Sequence, residues 1–142
     1  MPVTTSKPRS LDWLLDDLIE RLPDVQFAVV LSTDGLLLGH CTAMPRSDAE
    51  RFGAMASTLH GVARSAGAHF KAGGVCQTVV ELDLAVLFIT AAGDNACLAL
   101  LTSESANLGM VAYEMNQTVQ RVGHHLSVDP RPAFDQAGTR RP

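Results

Sequence analysis

No stretch of this 142-residue chain approaches the roughly 20 consecutive apolar residues that a membrane helix needs, so direct membrane insertion is not expected. The opening MPVTTSKPRSLDW has neither an apolar core nor a small-residue cleavage site and does not read as a secretory signal. A cytoplasmic location is the default expectation. Cysteine is scarce: Cys41, Cys76 and Cys97 are an odd number at wide spacings, which fits reduced thiols and not a disulfide framework. Excess positive charge is also lacking, and a formal net charge of -4 offers nothing to attract a phosphate backbone, so nucleic acid is not an expected partner. What is present is apolar. With 46% hydrophobic and 18% charged residues, the chain should bury a core, and its length suits one domain.

Residues 1–9 hold two prolines and no periodic pattern and read as a flexible arm, residues 10–128 as the single domain, and residues 129–142, proline-rich at their start, as a loose tail. Ser10 is placed to cap a helix from Leu11 to about Leu22, whose Leu11, Leu14, Leu15, Leu18 and Leu22 fall on one side. Pro23-Asp24 stops it. Val25 to Ser32 and Leu36 to His40 form a hairpin about Thr33-Asp34-Gly35. Ser47-Asp48-Ala49-Glu50 matches a capping box, so a second helix should start there and end near Phe70. Apolar segments Cys76–Leu82, Leu84–Ala91 and Ala96–Thr102 predict three strands covered on both faces. A third helix is expected from about Ala106 to Leu126, since Leu108, Val111, Met115, Val119, Val122 and Leu126 recur at steps of three and four. The fold class is therefore an α/β sandwich, ordered α-β-β-α-β-β-β-α, with a five-stranded, mostly antiparallel sheet between helices.

Catalytic and metal-binding patterns are missing. His60 and His69 are nine apart, and His124 and His125 are adjacent, so neither pair has the i, i+4 spacing of a helical metal site. His40 and Cys41 adjoin on a strand and should face opposite ways, which denies a thiol its base. Lys71-Ala72-Gly73-Gly74 follows a helix and precedes a strand, the reverse of a phosphate-binding loop. Glu81, Asp83 and Asp94 sit at turns, and Asp16-Asp17 and Arg140-Arg141 read as solubilising surface charge. No cofactor and no catalytic residue is called for.

The second helix is the anomaly. From Phe52 to Ala68 its only permanent charge is Arg64, which leaves little face for water and points to a partner. Gly53, Ser57, Gly61 and Ser65 recur at i+4 as a strip of small side chains, while Phe52, Met55, Ala56, Leu59, Val62, Ala63 and Ala66 form an apolar stripe. One face would cover the sheet and the other would meet a second copy, with the small strip and the strand residues Cys76, Thr78 and Val80 as the candidate dimer interface. Three glycines, Gly53, Gly61 and Gly67, each cost about 1 kcal/mol in a helix interior, so something should offset them. The alternative places the small strip on the sheet and leaves Met55, Leu59 and Val62 half-exposed.

The element order, the hairpin VVLSTDGLLLGH (Val29 to His40), AAGDNACLALLT (Ala91 to Thr102) and ANLGMVAYEMNQTV (Ala106 to Val119) together resemble the roadblock, or dynein light-chain-type, domain family. The resemblance covers about Leu11 to Leu126 and is strongest toward bacterial members encoded beside Ras-like GTPases in actinobacterial conservons. It implies a profilin-like sandwich that homodimerises through its second helix and third strand. It implies a Ras-like small GTPase as partner, a sensor kinase or other conservon component upstream, and peripheral association with a membrane through partners. The GTPase-binding region carried over is Arg51, Met55, Thr58, Leu59, Val62 and Arg64. Many relatives place glycines between the third and fourth strands, where this chain has Leu82-Asp83-Leu84.

A noncatalytic homodimeric adaptor that modulates a GTPase cycle or its localisation is the first expectation. The alternative is a small-molecule or signal-sensing module, and an enzyme acting through Cys41 or Cys76 comes third.

Overall fold

The computed structural model describes residues 11–127. The expected N-terminal arm, the Ser10 cap, Arg140-Arg141 and the C-terminal tail lie outside them. Three helices and five strands follow in the expected order: α1 (Asp12–Arg21), β1 (Val25–Ser32), β2 (Leu37–His40), α2 (Arg46–His69), β3 (Thr78–Glu81), β4 (Ala85–Ala91), β5 (Ala96–Ser103) and α3 (Leu108–Ser127). The strands form one antiparallel sheet in the order β2-β1-β5-β4-β3. Its centre joins the first strand to the last, Val25 opposite Thr102 and Ser32 opposite Ala96.

Alternation along the central strands divides the core into two layers. Leu31 lies beneath α2, against Gly53, so Val29, Cys97, Ala99, Ile89 and Leu87, which share its face by register, also point that way. Ala28, Val30, Leu98, Leu100 and Phe88 point to the other side, where α1 and α3 pack. Leu14, Leu15, Leu18, Val111, Met115 and Val122 seal that side with almost no exposure. At roughly 1.5–3 kcal/mol for each large aliphatic side chain fully buried, this layer supplies much of the stability.

α1 is also fastened by polar contacts. The Asp12 carboxylate accepts from the His40 amide at 2.9 Å and Asp16 accepts from the Thr42 amide at 2.9 Å, which ties the helix to the end of β2. Gly39 permits the close approach, since a Cβ there would lie 2.9 Å from the Leu11 Cβ. Arg121 reaches Asp17 at 3.0 Å and stands 5.5 Å from the centre of the Trp13 ring, and Arg21 bridges Asp17 and Glu114 at 3.2 and 3.3 Å. Asp16 and Asp17 are thus working contacts between elements, and the expectation of mere solubilising charge is corrected.

Two further expectations are corrected. The capping box at Ser47 does not form: α2 begins at Arg46 with Pro45 as its N-cap, no side chain caps the helix, and Glu50 instead pairs with Arg46 at 3.1 Å. Proline's fixed φ suits a chain turning into a helix, and the N-cap moves two residues earlier, from Ser47 to Pro45. The third strand is shorter than expected and is open, not covered on both faces: only Thr78 and Val80 are partly buried. The Cys76 carbonyl accepts the Thr90 hydroxyl at 3.1 Å, outside the strand pairing, and Leu82 turns toward Ala85 at 2.8 Å.

α2 ends in a Schellman turn. Lys71 N–H donates to Ala68 O at 3.3 Å and Ala72 N–H to Gly67 O at 2.8 Å, with Lys71 in the left-handed region at φ 55°. The returning chain then presses the Gly73 carbonyl on Gly67, where a Cβ would lie 2.1 Å from that oxygen. The cost of Gly67 is therefore offset inside this chain.

Candidate interaction surface

α2 turns its buried positions, Ala49, Gly53, Ala56 and His60, to the sheet. The small strip does not stay on one side. Steps of four residues advance about 400° at 3.6 residues per turn, so the strip rotates roughly 40° at each repeat. Gly53 faces inward, its virtual Cβ 3.9 Å from Leu31 and Leu37; Ser57 donates to the Thr33 carbonyl at 3.4 Å; Ser65 is exposed. The expectation that the whole strip meets a partner is thereby corrected: Gly53 and Ser57 serve the packing of α2 on its own sheet. A Cβ at Gly61 meets nothing within 4 Å and one at Gly53 only ordinary contacts at 3.9 Å, so of the three helix glycines Gly67 alone is required by the described chain.

The outward ridge is formed instead by Arg51, Met55, Thr58, Val62 and Ser65, with Met55 54% and Val62 65% exposed. Leu59 is half-buried against the core, and Arg64 is exposed on the flank above Cys97 and His60. Five of the six residues expected to receive a GTPase, Arg51, Met55, Thr58, Val62 and Arg64, are thus accessible. Of the strand residues, Cys76 is exposed, and Thr78 and Val80 are half-buried on the α2 side of β3. β3 is an edge strand, and no side chain of the described residues bonds to its backbone, whereas the β2 end of the sheet has Asp12 and Asp16 on its amides. An open edge of this kind is a template for pairing with another chain.

On the α2 side two buried polar atoms lack a hydrogen-bond partner, His60 Nδ1 and Thr78 Oγ1. His60 is 4% exposed and its Nδ1 makes no hydrogen bond. Burial, with Arg64 one turn on, pushes its pKa below the ordinary value, so the ring is neutral. Burial pushes the Cys97 thiol up, partly opposed by Arg64. Neither group is activated for nucleophilic work. Cys41 is fully buried and its sulfur accepts from the Ala28 amide, while the His40 Nδ1 lies 2.8 Å from the Cys41 carbonyl, so these two form no catalytic pair. Among the described residues no group of three His, Cys, Asp or Glu side chains could hold a metal ion. No helix there is long and apolar enough to cross a membrane.

On the opposite layer, Trp13, Leu14, Gln120, Arg121, His124 and His125 line an open cleft of about 280 Å³ between α1 and α3. The Arg121 charge in this cleft is already engaged by Asp17.

Residues 11–102 match the model of the Roadblock/LC7 domain. A Roadblock/LC7 domain from Streptomyces avermitilis is 39% identical, the match covering 83% of this chain and 98% of that one with a TM-score of 0.80. An uncharacterized protein of Methanocaldococcus jannaschii is 29% identical over 105 residues, 73% of this chain and 90% of that protein. The fold is shared with Myxococcus xanthus MglB, at 10% identity, a TM-score of 0.77 and coverage of 90% and 96%. The sandwich of one antiparallel sheet between α2 and the α1–α3 layer is profilin-like, as expected.

Proposed function

Because this chain belongs to the Roadblock/LC7 domain family, we propose that it is a noncatalytic homodimeric adaptor that binds a Ras-like small GTPase and modulates its nucleotide cycle or its localisation. The observation that carries this reading is the α2 ridge: Met55 and Val62 are exposed on a helix of low charge, beside an edge strand left open. Met and Val at the centre of a surface with Arg51 and Arg64 at its borders suit recognition in which aliphatic anchors supply affinity and charges supply orientation. Two copies related by a two-fold axis would join their β3 edges and bring both ridges to one side, giving the GTPase a composite surface. A sensor kinase or other conservon component would act upstream, and the partners would supply any attachment to a membrane.

Sedimentation of the full chain at micromolar concentration tests the first half, and a dimer is expected. Capture of the GTPase encoded nearby, in its GDP and GTP forms, followed by a hydrolysis assay, tests the second. Binding in at least one nucleotide state is expected, and binding in neither rejects the adaptor reading.

A further inference from the structure

Outside the α2 ridge, three exposed large apolar side chains flank β3 along the chain, one before its start and two after its end. Phe70, 75% exposed, is the last residue of the α2 turn leading to the start of β3, and Leu82 and Leu84, 53% and 75% exposed, flank the turn that follows its end. The two ends of the sheet are distinct. Thr33 N–H bonds Asn95 O at 3.0 Å, joining the β1–β2 and β4–β5 turns at one end, where β3 begins. Ser103 N–H bonds Asp24 O at 2.9 Å at the other, where β3 finishes. Charge divides the same way. His69 and the exposed Lys71 accompany Phe70, and the exposed acids Glu81 and Asp83 accompany the two leucines.

We infer that the two ends of this edge are complementary halves of one clasp, so that Phe70 and Lys71 of one protomer seat against Leu82, Leu84 and Asp83 of a second copy. The inference rests on the dimer reading above and specifies the pairing within it. Antiparallel pairing of β3 with its copy sets the start of one strand beside the end of the other. Phe70 then meets leucines and Lys71 meets the Asp83 carboxylate, at two equivalent places. A parallel pairing would oppose Lys71 to Lys71 and Asp83 to Asp83. By alternation from Thr78 and Val80, Leu82 continues on the α2 side of the sheet, the side from which Phe70 comes.

Lys71 adds an independent observation. It occupies the left-handed position of the Schellman turn at φ 55°, where glycine would adopt the conformation without strain.

Dimer dissociation constants of the full chain, from analytical ultracentrifugation, test the clasp. Phe70→Ser and Leu84→Ser should each weaken the dimer about tenfold or more. Lys71→Glu and Asp83→Lys should each weaken it about fivefold, and the chain carrying both should return to within about threefold of wild type. Lys71→Gly should raise the thermal midpoint of the monomer and still weaken the dimer, an opposition that a purely structural role for Lys71 would not produce. If the wild type dimerises and Phe70→Ser and Leu84→Ser leave its affinity unchanged, the clasp is wrong and the dimer stands. If both charge reversals weaken the dimer and the double variant does not recover, the antiparallel pairing is wrong. A wild type that stays monomeric at about 100 μM, roughly 5 kcal/mol or less of association free energy, removes the dimer itself.

Discussion

The two faces of the sheet are finished to different degrees. On one, α1 and α3 bury large leucines, bridge each other through Asp17, Arg21, Glu114 and Arg121, and tie back to β2 through Asp12 and Asp16. On the other, α2 meets the sheet through Ala49, Gly53, Ala56 and His60, with Phe52 and Leu59 half-buried beside them, and its one ion pair among the described residues, Arg46–Glu50, is internal. Small residues bring a helix close but bury little area, so α2 contributes less to stability per turn than α1 does. The first face is closed by large buried side chains and ion pairs, with the buried Thr118 Oγ1 left without a hydrogen-bond partner. The second is adhesive outward, and it has the open strand at its border.

Breaking the finished face should have the largest effect. Leu18→Ala removes a fully buried side chain and should cost roughly 2–5 kcal/mol in denaturant unfolding. Next come the glycines of α2. Gly67→Ala drives a methyl group on the Gly73 carbonyl and should cost about 1–3 kcal/mol, whereas Gly61→Ala meets open space and should stabilise the monomer by about 0.5–1 kcal/mol. If Gly61→Ala also weakens the dimer, its cost in the monomer is offset at the interface.

The His60 ring gives the less finished face a pH signature. Its folded-state pKa lies below the ordinary 6.5, so the unfolded chain binds the proton more readily. Stability is fully present above about pH 6.5 and falls as the pH drops below it. His60→Leu should flatten that slope between pH 7 and 5, measured by thermal unfolding. Asp17→Asn, which frees both Arg21 and Arg121 on the finished face, should cost about 1 kcal/mol, less at high salt. Val62→Ser should change monomer stability least, by about 0.5 kcal/mol or less, while weakening association and GTPase capture.

All eight elements were legible in the sequence because their hydrophobic periods agree with their ends: proline after Leu22, Gly35 in the first hairpin, Gly93 in the second. The strand order was not, since nothing local says that β1 and β5 are neighbours. The small strip of α2 was read as one face because a four-residue spacing looks regular in a sequence. Its 40° drift per repeat appears only on a helix. Exposure of Met55 and Val62 was legible only as the alternative in which the small strip packs on the sheet, and the family resemblance adds Arg51, Thr58 and Arg64 to the ridge and its flank. Leu82, Leu84 and Phe70 were legible as residues and not as a set, because only the folded sheet shows that the strand between them is an open edge.

The pairing of β1 with β5 also orders events in time. Ser32 and Ala96 are partners, and residues 33–95 must be made before the central ladder can close. A ribosome releasing this chain has then exposed the β1–β2 hairpin, α2 and the β3–β4 hairpin, all apolar, before the strand that joins them emerges. Such long-range closure is slow relative to local hairpins and helices. The hazard of mispairing is concentrated in that interval of synthesis, and β5 ends it.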